Sequence, residues 1–292
     1  PLGDLAITLR ALASGERMAA GDVAAAALAL GDIHARLAAS LAQRTGPPDL
    51  VAAHGQTVYH DPPRSWQMLN PAPIAARLRR PVVYDLRAAD LAAGGQGAPI
   101  TPLADFILLR DEAQRRAVVN LGGFCNITLL PPRDSRDPRD WLAAVRGRDV
   151  CACNHILDAL ARRALSAPYD ESGAAASRGA ANPAAAADLR AVLLAQSTEG
   201  RSLGTGDESL AWLDRHADAL APDDLAATAA QAVGETIGAA LRAGDAPPDL
   251  VLVAGGGAHH RALVEHIRRA SGAPTQPTDD FNLPIAAREA AA

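Results

Sequence analysis

The sequence predicts an α/β protein built from two duplicated domains with a cleft between them. Three observations support this. Pro47-Pro48-Asp49-Leu50-Val51 recurs letter for letter as Pro247-Pro248-Asp249-Leu250-Val251. Both copies follow a helical stretch, open an apolar strand and lead to a polar or glycine-rich loop. A chain rich in Ala, Pro and Leu can repeat five residues by chance, but the shared context favours duplication. Secondly, apolar spacing switches along the chain between helical periodicity and short runs bounded by Gly and Pro. Thirdly, glycine clusters follow strands at Gly122-Gly123 and Gly255-Gly256-Gly257, where open α/β sheets bind ligands. We place the first domain at 1–112 and the second at 113–292, with the hinge between about 90 and 115.

Taken in order, the first 43 residues are Ala/Leu-rich and read as two helices, with turn signals at Gly15 and Gly21. Gly46 to Asp49 forms a turn into the strand Leu50–Ala53, which ends at His54-Gly55-Gln56-Thr57. A second strand, Pro81–Tyr84, leads to Asp85-Leu86-Arg87. The Gly-rich loop at 94–97 precedes a helix over Pro102–Arg110. Ala117–Leu121 and Phe124–Leu130 flank Gly122-Gly123 as a β-hairpin. Pro131–Asp140 is a loop, Trp141–Val150 contains a third strand, and His155–Leu165 is a helix. The remainder is helical over Pro183–Gln196, Glu208–Leu220 and Asp223–Arg242, the last closed by Gly244. It then returns to strand at Leu250–Val253 and to helix near Ala258.

Composition narrows the chemistry. All 28 basic residues are arginine. Without lysine there is no Walker-type phosphate loop, no protein-kinase lysine and no Schiff-base chemistry. The net charge of −5 with no basic stripe argues against nucleic acid as the main partner. No apolar run approaches the roughly twenty residues that would span a bilayer, and the first residues lack the pattern of a signal peptide. Three cysteines, Cys125, Cys151 and Cys153, make no disulfide framework, so a cytoplasmic location is expected.

Several strand ends offer polar groups. Gly122-Gly123 can bring backbone N–H groups against phosphate oxygens, although most such hairpins bind nothing. Gly255–Gly257 can present bare backbone to a nucleotide, without the spacing of the dinucleotide fingerprint. His54 to Thr57 suits sugar hydroxyls, or is an edge turn. Asp85, Arg87 and Asp90 either orient a polar ligand or cap a helix start. Asp149, at the end of the third strand, is a reasonable general base, or else a surface Asp. Cys125, Cys151, Cys153 and His155 could hold a soft metal, but three buried thiols fit the spacing better.

Taken in order, His54-Gly55-Gln56-Thr57, Asp85-Leu86-Arg87, Gly94-Gly95-Gln96-Gly97-Ala98-Pro99, Asn120 to Asn126 and Gly255-Gly256-Gly257 resemble the anhydro-N-acetylmuramic acid kinase family over nearly the whole chain. That family belongs to the sugar kinase/Hsp70/actin superfamily. The resemblance implies a duplicated, ribonuclease H-like two-domain fold. It implies use of ATP and Mg2+ to open 1,6-anhydro-N-acetylmuramic acid with water and phosphorylate O6, in cell-wall recycling. By motif, Asp149 matches the catalytic base. Gln56, Thr57, Arg87 and Glu289 match the sugar side, and Gly122, Gly123, Asn126 and Gly255 to Gly257 the nucleotide side. The resemblance names no metal ligand; it suggests a homodimer, with small molecules rather than nucleic acid or membrane as partners.

The match departs from the family in places. Pro1 enters after the family's opening hairpin and its phosphate loop, and Ala292 precedes its last elements, so the chain as written is expected to have little activity alone. The family's Asp-x-Gly-Pro-Gly-Asn reads Asp149-Val150-Cys151-Ala152-Cys153-Asn154, and its asparagine after the triple glycine reads His260. A degenerate, non-catalytic sugar- or nucleotide-binding relative and a kinase for a different sugar therefore stand as alternatives.

Overall fold

Ala and Leu are the best helix formers, and the N-terminal stretch that they dominate is helical as α1 (Leu5–Ala13) and α2 (Ala20–Thr45). The computed structural model describes residues 2–132, 144–198, 208–243 and 246–291. Pro1, Gly244 and the loop from 133 onward lie outside them. Gly21 is inside the first turn of α2 and is not a break, whereas Gly46, at φ 92°, ends that helix. By length and composition α2 could cross a membrane, contrary to the sequence expectation. Its run of alanines carries the hydropathy. Its Gly31 nevertheless packs onto backbone: a Cβ there would meet Asn70 O at 2.1 Å.

The chain divides into two compact units, Pro1–Ile100 and Thr101–Ala292. In the first, β1 (Val51–Ala53) pairs in parallel with β4 (Val82–Tyr84), and α3 (Ala72–Leu78) lies between them in the chain. An unanticipated antiparallel hairpin, β2 (Gln56–Asp61) and β3 (Arg64–Met68), follows β1 directly. Leu9, Ala26, Val58 and Met68 form one small core, and Ala35, Ala53 and Ile74 another. A short helix, α4 (Ala88–Ala92), closes the unit.

The second unit begins with α5 (Pro102–Leu109), a helix assigned above to the first domain. Its sheet comprises β5 (Arg116–Leu121), β6 (Phe124–Leu130), β7 (Arg146–Ala152), β8 (Leu250–Ala254) and β9 (Thr275–Pro277). The strand order is β7-β6-β5-β8-β9. The first three strands form an antiparallel meander, and β8 and β9 run parallel to β5. This is the ribonuclease H-like arrangement that the resemblance implies. The third strand starts later than expected, at Arg146, and runs on to Ala152; residues 141–143 lie outside the described part.

One face of this sheet carries the main core. It packs α6 (Asn154–Leu160), α7 (Ala174–Arg178), α8 (Pro183–Thr198), α9 (Ser209–His216), α10 (Pro222–Arg242) and α11 (Arg261–Ser271). Alternation along β5 sends Ala117, Val119 and Leu121 into it. Val118 points the other way, with Leu130, Leu250 and Leu252, against Phe106, Leu109 and Leu283. That second face also receives the short helix α12 (Arg288–Ala291), through the Arg288–Asp105 pair.

Candidate active site

Strand register assembles a polar row across the sheet of the second unit. Asn120 on β5 lies directly opposite Asn126 on β6, and Asn126 lies opposite Asp149 on β7. Directly opposed residues of antiparallel strands share a face. Glu289 of α12 extends the row, its Oε1 accepting a hydrogen bond from Asn120 Nδ2 at 2.8 Å. Asn120 is itself buried among apolar neighbours, so this bond satisfies a polar group that would otherwise be costly there.

Asp149 does not end its strand. Val150, Cys151 and Ala152 continue β7 and are fully buried in the main core. A register shift at this point sets two residues of β7 against a single step of β6, between Asn126↔Asp149 and Cys125↔Cys151. Such bulges re-aim side chains and recur beside active sites. Here the bulge sends Val150 and Cys151 into the core together, while Arg148 reaches Ala240 O of α10 at 2.6 Å. Asp149, half-buried, is set against Asn126.

The glycine turns lie at the end of the same strands. Cys153 N and His155 N donate to Gly123 O at 2.8 and 3.1 Å, and Asn154 N donates to Gly122 O at 3.0 Å. The start of α6 is thereby closed onto the hairpin turn. Asn154 Nδ2 also donates to Leu121 O at 2.9 Å. A Cβ on Gly257 would lie 2.9 Å from Asn154 Oδ1, so this one side chain touches both turns.

The five glycines serve two purposes. Gly255 has φ +79°, and a Cβ there would lie 2.8 Å from Asn120 Oδ1; a Cβ at Gly257 or Gly123 would meet Leu121 or His155 as closely. These three are required by packing. At Gly256 a Cβ would meet only Asn154 Nδ2, at 3.7 Å, and at Gly122 its closest neighbour would be Phe124 O at 3.3 Å. Gly256 thus leaves bare backbone with room around it, as a nucleotide cradle requires, whereas Gly122 is closely approached by the Phe124 carbonyl.

Burial pushes the Cys153 thiol up to about 12. Cys125 is also pushed well above the usual thiol range, by burial first and then by its thiol neighbours and Asp149. His260 takes the N-cap of α11, its Nδ1 accepting from Leu263 N at 3.2 Å. Its Nε2 lies 3.6 Å from Asp170, whose carboxylate accepts from Ala175 N and Ala176 N at 2.9 Å each. Burial lowers the His260 pKa, against the pull of Asp170.

The candidates of the first unit lie on two separate elements. Gln56 and Thr57 begin β2 and do not end β1. Gly55, just before them, crosses the backbone of β3, where a Cβ would meet Met68 O at 2.6 Å. Arg87 precedes α4 and donates through Nη1 to Gly97 O at 2.6 Å, while Asp90 Oδ2 accepts from Gly97 N at 2.6 Å. Arg87 and Asp90 thus grip the glycine-rich loop from both sides.

The anhydro-N-acetylmuramic acid kinase family model matches residues 9–292. The chain belongs to this family. Relatives of that name include one from Salinibacter ruber, 35% identical over 87% of this chain and 68% of that protein. One from Bordetella pertussis is 38% identical over 89% and 70%, and one from a Synechococcus strain 35% over 96% and 77%. Among solved structures, the ADPNP-bound activator of the 2-hydroxyisocaproyl-CoA dehydratase from Clostridium difficile has a TM-score of 0.41 at 13% identity. It covers 72% of this chain and 64% of that one. The ROK hexokinase from Thermus thermophilus has 0.31 at 16%, covering 85% and 79%. Likenesses this distant add nothing to the family assignment, which rests on sequence.

Within this family member, strand register brings Asn126, Asp149 and Glu289 into one row, and the two glycine turns lie beside it. Gln56, Thr57 and Arg87 belong to the other unit. Sequence reasoning did not single out Asn120 as a site residue. Its signal was available: an amide in the otherwise apolar run Ala117-Val118-Val119-Asn120-Leu121.

Proposed function

We propose that the protein uses ATP to convert 1,6-anhydro-N-acetylmuramic acid to N-acetylmuramic acid 6-phosphate, in cytoplasmic recycling of the cell wall. The observation that supports this best is the row Glu289–Asn120–Asn126–Asp149 beside two glycine turns. The Asp149 carboxylate takes a proton from water as the water oxygen bonds to C1 of the sugar. The C1–O6 bond breaks, O6 bonds to the γ-phosphorus, and ADP leaves. Glu289, with Gln56, Thr57 and Arg87, holds the sugar. Gly122, Gly123, Asn126 and Gly255 to Gly257 hold the nucleotide.

Among the described residues no three His, Cys, Asp or Glu side chains gather. A magnesium ion, if bound, would be held mainly by the nucleotide's phosphates and water rather than by a cluster of side chains, and would supply charge to offset the phosphates. Small molecules are the partners in this reading, and the assembly is a homodimer.

A second reading, a sugar- or nucleotide-binding relative without transfer, is favoured by one observation. Cys151 and Cys153 are buried where the family has glycines, and Ala152 where it has proline. ADP release across a panel of anhydro- and free sugars separates the two. The kinase reading expects turnover of the anhydro sugar and a loss of about 10²–10⁴-fold in kcat for Asp149→Asn. Binding of sugar or ATP without ADP release would establish the second reading, and equal rates for Asp149→Asn would remove the base from its role.

A further inference from the structure

The short helix that carries Glu289 has an unusual anchor. α12 is described over Arg288–Ala291. Its first residue, Arg288, is 1% exposed and reaches Asp105 of α5, also 1% exposed. Arg288 Nε donates to Asp105 Oδ1 at 2.8 Å, and Nη2 donates to Asp105 Oδ2 and, at 3.0 Å, to Thr101 Oγ1. Thr128 of β6 donates its hydroxyl to Asp105 Oδ2 at 2.7 Å. A planar guanidinium gripped at two nitrogens by one carboxylate is held in orientation as well as in distance.

The next residue, Glu289, is exposed and meets Asn120. Four residues on α5, β6 and α12 therefore set the angle at which Glu289 meets the polar row. Stability alone does not account for the arrangement. A buried ion pair is often no better than an apolar pair of like volume, and here Arg288 Nη1 is buried without a hydrogen-bond partner among the described residues.

We infer that Arg288 and Asp105 are positioning residues for Glu289, their forked ion pair setting the short helix so that this carboxylate engages the sugar. The inference rests on the sugar-binding reading of Glu289. It goes beyond that reading by assigning a function to two buried side chains that the sugar-binding reading does not use.

The test is the Michaelis constant for sugar and for ATP, with thermal unfolding measured alongside. Glu289→Gln is expected to raise the sugar KM by about tenfold, and Arg288→Gln and Asp105→Asn by a similar factor, with the ATP KM changed by less than about twofold. Arg288→Gln combined with Glu289→Gln should be no worse than Glu289→Gln alone, because both act on one contact.

Each single change at the buried pair strands a charge. If such a variant does not fold, Asp105→Asn combined with Arg288→Gln, which removes both charges, takes its place with the same expectation. Arg288→Lys keeps the charge and loses the fork. It should recover melting temperature while the sugar KM stays raised.

Additive losses in the double variant would overturn the inference. So would an unchanged sugar KM in folded Arg288 variants, or full recovery of that KM by Arg288→Lys. An unchanged sugar KM in Glu289→Gln would instead remove the reading of Glu289 on which the inference stands.

Discussion

The same five residues, Pro-Pro-Asp-Leu-Val, open β1 in one unit and β8 in the other, with very different results. β8 has five residues, all buried, between β5 and β9. β1 has three and pairs with β4 alone among the described residues. Leu250 is 7% exposed, while Leu50, its counterpart, is 53% exposed. Asp249 is tied to the first sheet strand, its Oδ2 accepting from Arg115 N at 2.7 Å. The pairing partners β4 and β9 are both parallel and occupy corresponding positions, which supports duplication. Among the described residues the same five letters thus open one strand with two neighbours and one with a single neighbour.

Three experiments sharpen or break this contrast. The largest effect is expected from matched truncations. Leu250→Ala should cost about 2–4 kcal/mol, as for a buried leucine, and Leu50→Ala about 0.5 kcal/mol or less, as for a surface position. Urea unfolding checks both, and equal losses would erase the distinction between the strands.

Next come the glycines that follow each strand. Gly55→Ala should destabilise by about 1–3 kcal/mol, because its Cβ meets two carbonyls of β3, Met68 O at 2.6 Å and Gln67 O at 2.7 Å. Gly256→Ala has room and should leave the melting temperature nearly unchanged while weakening ATP binding. A Gly256→Ala protein that binds ATP as before would take the triple glycine out of the nucleotide site.

The smallest effect is at His260, beyond β8. Its pKa is lowered from 6.5 by burial, so the unfolded chain binds the proton more readily than the folded one. The neutral form is favoured on folding, so stability is fully present above about 6.5 and falls as pH drops through the lowered folded value. Protonation also removes the Nδ1 acceptor that caps α11, worth about 1 kcal/mol. The groups facing the imidazole are Asp170 and His266. His260→Asn keeps a capping side chain with no titration and should flatten this part of the pH–stability curve. A slope identical to the parent's would assign it to another group.

Much of this was legible in the chain because the signals are local. The two-glycine hairpin, the helix of α5 and the strand Leu250–Val253 follow from period, turn chemistry and β propensity. Family motifs pointed to Asp149, Asn126 and Glu289. The hairpin β2–β3 leaves little local signal because its strands, Gln56–Asp61 and Arg64–Met68, are mostly polar and bury little besides Val58, Gln67 and Met68. Strand β7 was ended too early because Cys151-Ala152-Cys153 has no strand-like signature of its own.

By itself, then, the sequence determined the family, the helices and strands with strong local patterns, and the residue types available for catalysis. Three things were decided only by tertiary structure. One is the register that aligns Asn120, Asn126 and Asp149; another is the bulge that sets Asp149 apart from Val150 and Cys151. The third is the burial that separates Leu250 from Leu50. The physical reason is common to all three. A ladder hydrogen bond or a buried side chain depends on residues distant in the chain, and a local pattern of letters carries no record of which partner will be there.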